Sequence, residues 1–379
     1  MSKIQDSSIT LQDITTPSSS NKISEQKTHD KEESLETIGF FEKYLTAWVL
    51  VCMAVGIAIG HFIPSIPSNL QKLSIAEVSL PIAVLVWGMI LPMMMQIDFA
   101  SLRQVWRSPR AIFLTTGINY LVQPFVMYGL ATLFFYVIFR KWLTAFEADQ
   151  YVAGAVILGG SPCTAMVFVW SVLVNGDPSY TLTQVAVNDL LILILFSPTV
   201  KLLLKVSNVE IPWVTLLLSV GVFVLIPLLF GTIARFLILR FKSAEYLNEK
   251  VLPKIKPFTI CALLLTLILI FMFQADAIIS HPINMLMIAV PVTLMTCITW
   301  SLAYGLAYLI KLPANIAGPA SMIAGSNFFE LAVAVTISLF GPKDPSVLVT
   351  TVGVLVEVPV MLSLCFVCNR TKWLFARNE

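Results

Sequence analysis

The chain has 379 residues, of which 57% are hydrophobic and 12% are charged, whereas soluble proteins average about 45–50% apolar and about 25% charged residues. This composition excludes an ordinary soluble enzyme. It predicts an all-α polytopic membrane protein, because apolar helices of about 20 residues are needed to cross a lipid bilayer. The formal net charge is +2, and the absence of a basic cluster with interleaved aromatic residues indicates no nucleic acid partner.

Residues 1–43 differ in composition from the rest of the chain. They are rich in Ser, Thr, Gln, Asp, Glu and Lys and lack apolar periodicity, so they bury too little apolar surface to offset the entropy of folding. We therefore predict a disordered tail over residues 1–43. No apolar stretch precedes a small-residue cleavage site in this segment, so it does not resemble a secretory signal.

Ten apolar segments follow the tail, and each is long enough to span a bilayer. The predicted spans are residues 44–63, 79–97, 111–138, 151–174, 180–204, 212–239, 257–275, 284–310, 314–340 and 346–368. Of the 24 Lys and Arg residues, 18 lie in the tail or in the connections on its side of the membrane. Because cytoplasmic segments carry an excess of positive charge, we predict that both termini are cytoplasmic.

Two halves of the apolar region, residues 44–205 and 206–379, contain similar landmarks at a nearly constant offset. The first landmark is Gly160-Ser161-Pro162-Cys163 in one half and Gly325-Ser326-Asn327-Phe328 in the other. The second is Asp177-Pro178 and Asp344-Pro345, and the third is a span with Asn188 and Asp189 in one half and a span with Glu357 in the other. Five spans per half is an odd number, so the second copy enters the membrane from the opposite side. The pattern predicts two inverted five-helix repeats, as in many secondary transporters, with chance similarity as the alternative.

Glycine and proline residues near the middle of spans 4 and 9 predict that both helices are broken there. Broken helices expose backbone N–H and C=O groups, and transporters bind substrates and coupling ions at such positions. Ser161 and Cys163 lie at the first predicted break, and Asn327 lies at the second. We predict that these three residues bind the substrate.

Several acidic and amide residues lie in the interior of the predicted spans. Glu330 is about one helical turn past the second break, and ionisable groups at membrane depth are costly and usually functional. We predict proton coupling for Glu330 and for Glu357, with a structural hydrogen bond as the alternative. Asn188 and Asp189 are candidates for lining the same cavity or a cation path.

Other polar residues carry weaker signals. Asn119 and Gln123 in span 3 and Asp98 at the end of span 2 are typical of helix packing and span boundaries. Cys365 and Cys368 have the spacing of a redox motif but lack the surrounding βαβ pattern. The six cysteines lie almost all in apolar runs, so the sequence predicts no disulfide framework, no zinc site and no cofactor.

Three sequence blocks allow a comparison with known families. They are PCTAMVFVWS at residues 162–171, GSNFFELAVAV at 325–335 and GVLVEVPVML at 353–362. These blocks closely resemble the arsenical-resistance-3 arsenite permeases of the bile acid/arsenite/riboflavin transporter superfamily. The resemblance implies ten spans in two inverted repeats, and efflux of arsenite, sometimes antimonite, in exchange for protons. It places the essential cysteine of the family on Cys163 and its ninth-span glutamate on Glu330.

The implied substrate agrees with the chemistry of Cys163, because soft thiolate ligands select soft centres such as trivalent arsenic. One thiolate gives a weak and reversible contact, as a transporter requires. The resemblance implies a plasma membrane location, most naturally a bacterial inner membrane, although a fungal or plant membrane is an alternative. It leaves open whether an arsenite-stimulated ATPase subunit associates.

Other functions differ in what they require of the sequence. A sodium-coupled symporter for organic anions shares the predicted fold but needs no cysteine at the break. A channel also uses broken helices. An enzyme is disfavoured, because the sequence contains no nucleophile–base pair, metal cluster or phosphate-binding glycine loop.

Overall fold

The computed structural model describes residues 45–75, 78–96, 109–164, 166–207, 209, 211–280 and 282–375. The predicted tail over residues 1–43 and Asp98 lie outside the described residues. Within them, the regular structure is helical except for two short antiparallel strands, β1 (Ser74–Ile75) and β2 (Val78–Ser79). The prediction of a helical, polytopic membrane protein is therefore confirmed.

The helices of the first half of the chain follow the predicted spans closely. They are α1 (Leu45–Phe62), α2 (Ser65–Gln71), α3 (Leu80–Gln96), α4 (Pro109–Ile138), α5 (Ala145–Gly159), α6 (Val167–Leu173) and α7 (Pro178–Val206).

The second half of the chain continues with longer helices. They are α8 (Trp213–Phe241), α9 (Ala244–Phe273), α10 (Ala275–Ser280), α11 (Pro282–Leu309), α12 (Ala314–Gly325), α13 (Phe329–Phe340) and α14 (Pro345–Thr371), and a 3₁₀ turn (Lys372–Phe375) follows α14. In the described part of the chain, six helices are long and apolar enough to cross a membrane, namely α4, α7, α8, α9, α11 and α14 with its 3₁₀ turn.

Except for Leu133–Ile138 at the end of α4, each wide, π-helical turn in the described helices ends two residues before a proline. The turns are Ile118–Val122 before Pro124, Ile192–Phe196 before Pro198, Gly221–Leu225 before Pro227 and Leu247–Val251 before Pro253. Proline has no N–H for the carbonyl four residues earlier, and its ring clashes with that carbonyl. In each turn that carbonyl belongs to the central residue, so the helix widens there instead of ending.

The helices pack in two groups. One group contains α1, α3, α8 and α9, and the other contains α4, α5, α6, α7, α11, α12, α13 and α14. The groups meet where α13 packs against α3 and α8, where α14 packs against α1, and where α7 packs against α8. The helices with the predicted breaks therefore lie in the second group, and α13 also lines its boundary with the first.

Glycine permits the close packing of α5 against α14. A Cβ atom added at Gly154 would overlap the carbonyl oxygen of Ser346 and lie 3.0 Å from the Cβ of Val349. Small residues let membrane helices approach each other this closely, because lipid provides little hydrophobic force between them.

We expect Gly154→Ala to lower the free energy of unfolding by about 1–3 kcal/mol, the usual cost of overpacking. Gly129→Ala on α4 is the matched control, because a Cβ there meets no atom within 4 Å and alanine is favoured over glycine in helices by about 1 kcal/mol. Thermal unfolding of the purified protein in detergent measures both effects. Equal unfolding temperatures for the two variants would contradict the close approach of α5 and α14.

Candidate functional site

Both helix interruptions predicted for spans 4 and 9 are present. The first break, residues 160–166, separates α5 from α6, and the second break, residues 326–328, separates α12 from α13. The helices α12 and α13 have 12 residues each, which corresponds to about 18 Å per helix. The second break therefore lies midway along a pair of helices whose combined length is sufficient for a hydrocarbon core of about 30 Å.

The two breaks cross and bind each other through their backbones. The contacts are a hydrogen bond from Cys163 N–H to the Ser326 carbonyl oxygen at 3.3 Å, one from Phe328 N–H to the Ser161 carbonyl oxygen at 2.7 Å, and an antiparallel bridge between Pro162 and Asn327. Backbone groups released by a helix break need partners inside a membrane. Each break supplies such partners to the other.

Glu357 of α14 binds the second break. Its Oε1 atom accepts hydrogen bonds from the Ser326 hydroxyl and, at 3.2 Å, from the backbone N–H of Asn327. The side chain is buried, and α14 continues as a helix through Pro359. The carboxyl group therefore satisfies two buried donors at the break.

Asn188 of α7 binds the first break. Its Nδ2 donates to the Cys163 carbonyl oxygen at 3.4 Å, and its Oδ1 accepts from Gln184 Nε2 at 3.0 Å and from Asn119 Nδ2 at 3.5 Å. The Tyr120 hydroxyl donates to the backbone carbonyl of Asn188 at 2.8 Å. The first break is thus bound to α7 through Asn188, and α4 in turn binds Asn188.

Gln123 of α4 contacts the second break, where its Nε2 donates to Asn327 Oδ1 at 2.5 Å. The sequence interpretation assigned Gln123 and Asn119 to helix packing, whereas the structure brings both to the crossing of the two breaks. They lie in or directly after the π-helical turn that precedes Pro124. A polar residue beside a proline in an apolar run is the signal that could have identified them, because π turns are frequent at functional sites.

Cys163 and Glu330 lie together at the crossing. Cys163 is fully buried, its thiol faces the Ser326 hydroxyl, and the carboxyl groups of Glu330 and Glu357 lie within electrostatic range of it. Glu330 is in the first turn of α13, where the positive end of the helix dipole favours a negative charge. Neither carboxyl oxygen of Glu330 has a hydrogen-bond partner among the described residues. Such a buried group needs a proton or another ligand.

The remaining predicted site residues occupy two different environments. The Ser161 hydroxyl donates to the Ile157 carbonyl of its own helix at 2.8 Å, so Ser161 joins the crossing through its backbone. Asp189 of α7 is fully buried beside Thr164 of the first break, and its carboxyl oxygens lack a hydrogen-bond partner in the described structure. In the same part of the chain, His, Cys, Asp and Glu form no group of three or more that could hold a metal ion.

Comparisons with known proteins agree on a transporter. Residues 83–281 match the Sodium Bile acid symporter family. The chain is 51% identical over 338 residues to the arsenical-resistance protein Acr3 of Alkaliphilus metalliredigens, covering 89% of this chain and 95% of that protein. It is 40% identical over 351 residues to an uncharacterized transporter of Synechocystis sp. (90% and 92% covered), and 28% identical over 345 residues to Acr3 of Corynebacterium glutamicum (87% and 89%).

Glu357 provides a test of the hydrogen bonds at the second break. We expect Glu357→Ala to destabilise the protein by about 2–6 kcal/mol, because it leaves two buried donors without an acceptor at about 1–3 kcal/mol each. Glu357→Gln keeps an acceptor oxygen and is expected to retain most of the stability. Thermal unfolding in detergent compares the three proteins, and an alanine variant as stable as the wild type would show that Glu357 does not hold the break.

Proposed function

Because this chain belongs to the Acr3 arsenical-resistance permeases of the Sodium Bile acid symporter family, we propose that it exports arsenite from the cytoplasm in exchange for protons. It is accordingly a membrane transporter and not an enzyme. The observation that carries the proposal is the crossing of the two breaks, where the buried Cys163 lies within electrostatic range of the buried Glu330. A thiophilic substrate and a proton would therefore bind at one point.

Cys163 is the proposed arsenic ligand. Near neutral pH arsenite is the uncharged acid As(OH)₃, and a thiol replaces one of its hydroxyl groups with release of water. A single sulfur ligand holds the soft arsenic centre reversibly. Antimonite has the same trivalent chemistry and is a proposed second substrate. Asn327, whose side chain is held by Gln123, and the backbone of Ser161 complete the proposed binding site.

Glu330 is the proposed proton carrier. In the proposed cycle, arsenite binds from the cytoplasm and leaves on the other side, and the empty protein returns with a proton on Glu330. Since As(OH)₃ is neutral, each returning proton moves one charge inward, and this movement contributes about 2.3 kcal/mol per 100 mV of membrane potential. Glu357 is a second candidate for proton coupling, because its hydrogen bonds to Ser326 and Asn327 link its protonation to the second break.

We further propose ten membrane-spanning helices in two inverted five-helix repeats. In support, Asp177 and Asp344 each cap a helix that begins with proline, and each of these helices follows a broken one. Each half of the chain also contributes two helices to the first helix group, namely α1 and α3 from the first half and α8 and α9 from the second. Movement of one group against the other would expose the crossing to alternate sides of the membrane.

The proposed setting is the plasma membrane with both termini in the cytoplasm, in agreement with the distribution of Lys and Arg. A bacterial inner membrane suits this proposal best. Sodium-coupled uptake of an organic anion is not favoured, since the 51% identity is to an arsenical-resistance protein.

Arsenite-sensitive cells provide the first test of this function. We expect cells with the wild-type protein to retain less arsenic than cells without it, and Cys163→Ser and Glu330→Gln to remove the difference. Cys261→Ser and Glu249→Gln are matched controls, because both side chains are exposed on α9. Cell-associated arsenic is measured at equal membrane expression. Full export by Cys163→Ser would remove the cysteine from the mechanism, and a wild type without effect would contradict arsenite export.

Everted membrane vesicles test the coupling to protons. We expect an acidic interior to drive arsenite uptake into the vesicles, by about tenfold per pH unit for each coupled proton at equilibrium. A protonophore is expected to abolish the accumulation. The reason is that export against a gradient needs the energy of the returning protons. Arsenite accumulation that ignores both the pH gradient and the membrane potential would exclude proton exchange.

A further inference from the structure

We propose that Asp189 is a second proton carrier, so that the export of one arsenite is coupled to the entry of two protons. This inference rests on the proposed exchange of arsenite for protons and adds a carboxyl group from the first half of the chain. Glu330 serves the second break in this scheme, and Asp189 serves the first.

The burial of Asp189 is the first observation. Its side chain is 0% exposed, and neither Oδ1 nor Oδ2 has a hydrogen-bond partner among the described residues. Glu357 has similar burial but accepts two hydrogen bonds from the second break. An ionised carboxylate without such partners is strongly disfavoured in a dry interior. The surroundings of Asp189 therefore favour its protonated form, whereas Glu357 has donors at the second break that can stabilise a negative charge.

The position of Asp189 links it to the first break. Its polar neighbour is the buried hydroxyl of Thr164, the residue after Cys163, which lies within interaction range of the carboxyl group. The preceding residue, Asn188, donates to the Cys163 carbonyl. Any movement of the first break against α7 therefore changes the surroundings of Asp189. Entry of water at that point would allow the proton to leave.

The groups that face Asp189 are uncharged or weakly acidic. Its segment of α7 packs against α4, α6 and α12. From α4 the Tyr120 phenol lies within electrostatic range, whereas α6 and α12 contain no acidic, basic or histidine residue. Glu330 and Glu357 are instead close to each other and to Cys163. Asp189 therefore has no counter-charge from these helices, and the two glutamates form a separate group around Cys163.

A transporter with two proton carriers sustains a steeper arsenite gradient than a transporter with one. With a pH difference of one unit and no membrane potential, the limiting arsenite ratio is about tenfold for one proton and about 100-fold for two. The experiment uses the purified full-length protein in proteoliposomes, with valinomycin and equal potassium on both sides. The final arsenite ratio is measured for the wild type, Asp189→Asn, Asp189→Glu and Thr183→Val. Thr183 is the control, because it is buried on the same helix and its hydroxyl donates to the Ser179 carbonyl of that helix.

We expect about 100-fold ratios for the wild type, Asp189→Glu and Thr183→Val, and about tenfold for Asp189→Asn. A wild-type ratio of about tenfold would leave the proton exchange through Glu330 intact and overturn the role of Asp189. An unchanged ratio in Asp189→Asn would overturn it as well. A wild type that forms no arsenite gradient would contradict the proposed function itself, so the two failures are distinguishable.

A second measurement does not depend on the folding of Asp189→Asn. Infrared difference spectra between acidic and alkaline pH report the carbonyl band of each carboxyl group that takes up a proton. We expect this band to shift between the wild type and Asp189→Glu, because aspartic and glutamic acids absorb at different frequencies. Identical spectra would overturn the proposal.

Discussion

A broken helix in the interior of a membrane leaves backbone N–H and C=O groups that neither water nor lipid can satisfy. In this protein the two breaks solve the problem for each other, since Cys163 binds Ser326 and Phe328 binds Ser161 through their backbones. The crossing brings together two segments that are far apart in the sequence. For this reason Cys163 from one half of the chain and Glu330 from the other share one buried environment.

Proline shapes the helix that supports this crossing. Pro124 prevents a regular helical bond at Tyr120, and α4 responds with a wide turn over Ile118–Val122. That turn and the residue after it place Gln123 against Asn327 of the second break, and Asn119 and Tyr120 against Asn188, the residue of α7 that binds the first break. The same response to proline recurs in α7, α8 and α9. A residue usually regarded as a helix breaker thus acts here as a positioning element.

Hydrogen-bond satisfaction separates the buried polar groups by role. Glu357 and Asn188 have their partners in the breaks and hold these segments in place. Glu330 and Asp189 are equally buried but have no such partners among the described residues. Since an unsatisfied buried carboxyl group is costly, the fold retains two groups whose charge must change with hydration. This difference, and not burial alone, supports a role for Glu330 and Asp189 in coupling.

The sequence by itself predicted most of the helices and the positions of both breaks, and it marked Glu330 as a candidate site residue, whereas Cys163 was identified by its place at a break and by the family resemblance. These features depend on local properties, namely the length of apolar runs, the effect of glycine and proline on a helix, and the cost of a carboxyl group at membrane depth. The tertiary structure decided the partners. Pro124 marks the neighbouring Gln123 as a candidate but does not identify its partner, and Glu357 has the same composition signal as Glu330. Only the packing of α14 against the second break gives Glu357 its hydrogen-bond donors and leaves Glu330 without them. In the same way, only the packing of α4 brings Gln123 to Asn327. A hydrogen bond depends on which helices face each other, and the sequence of one helix does not show this.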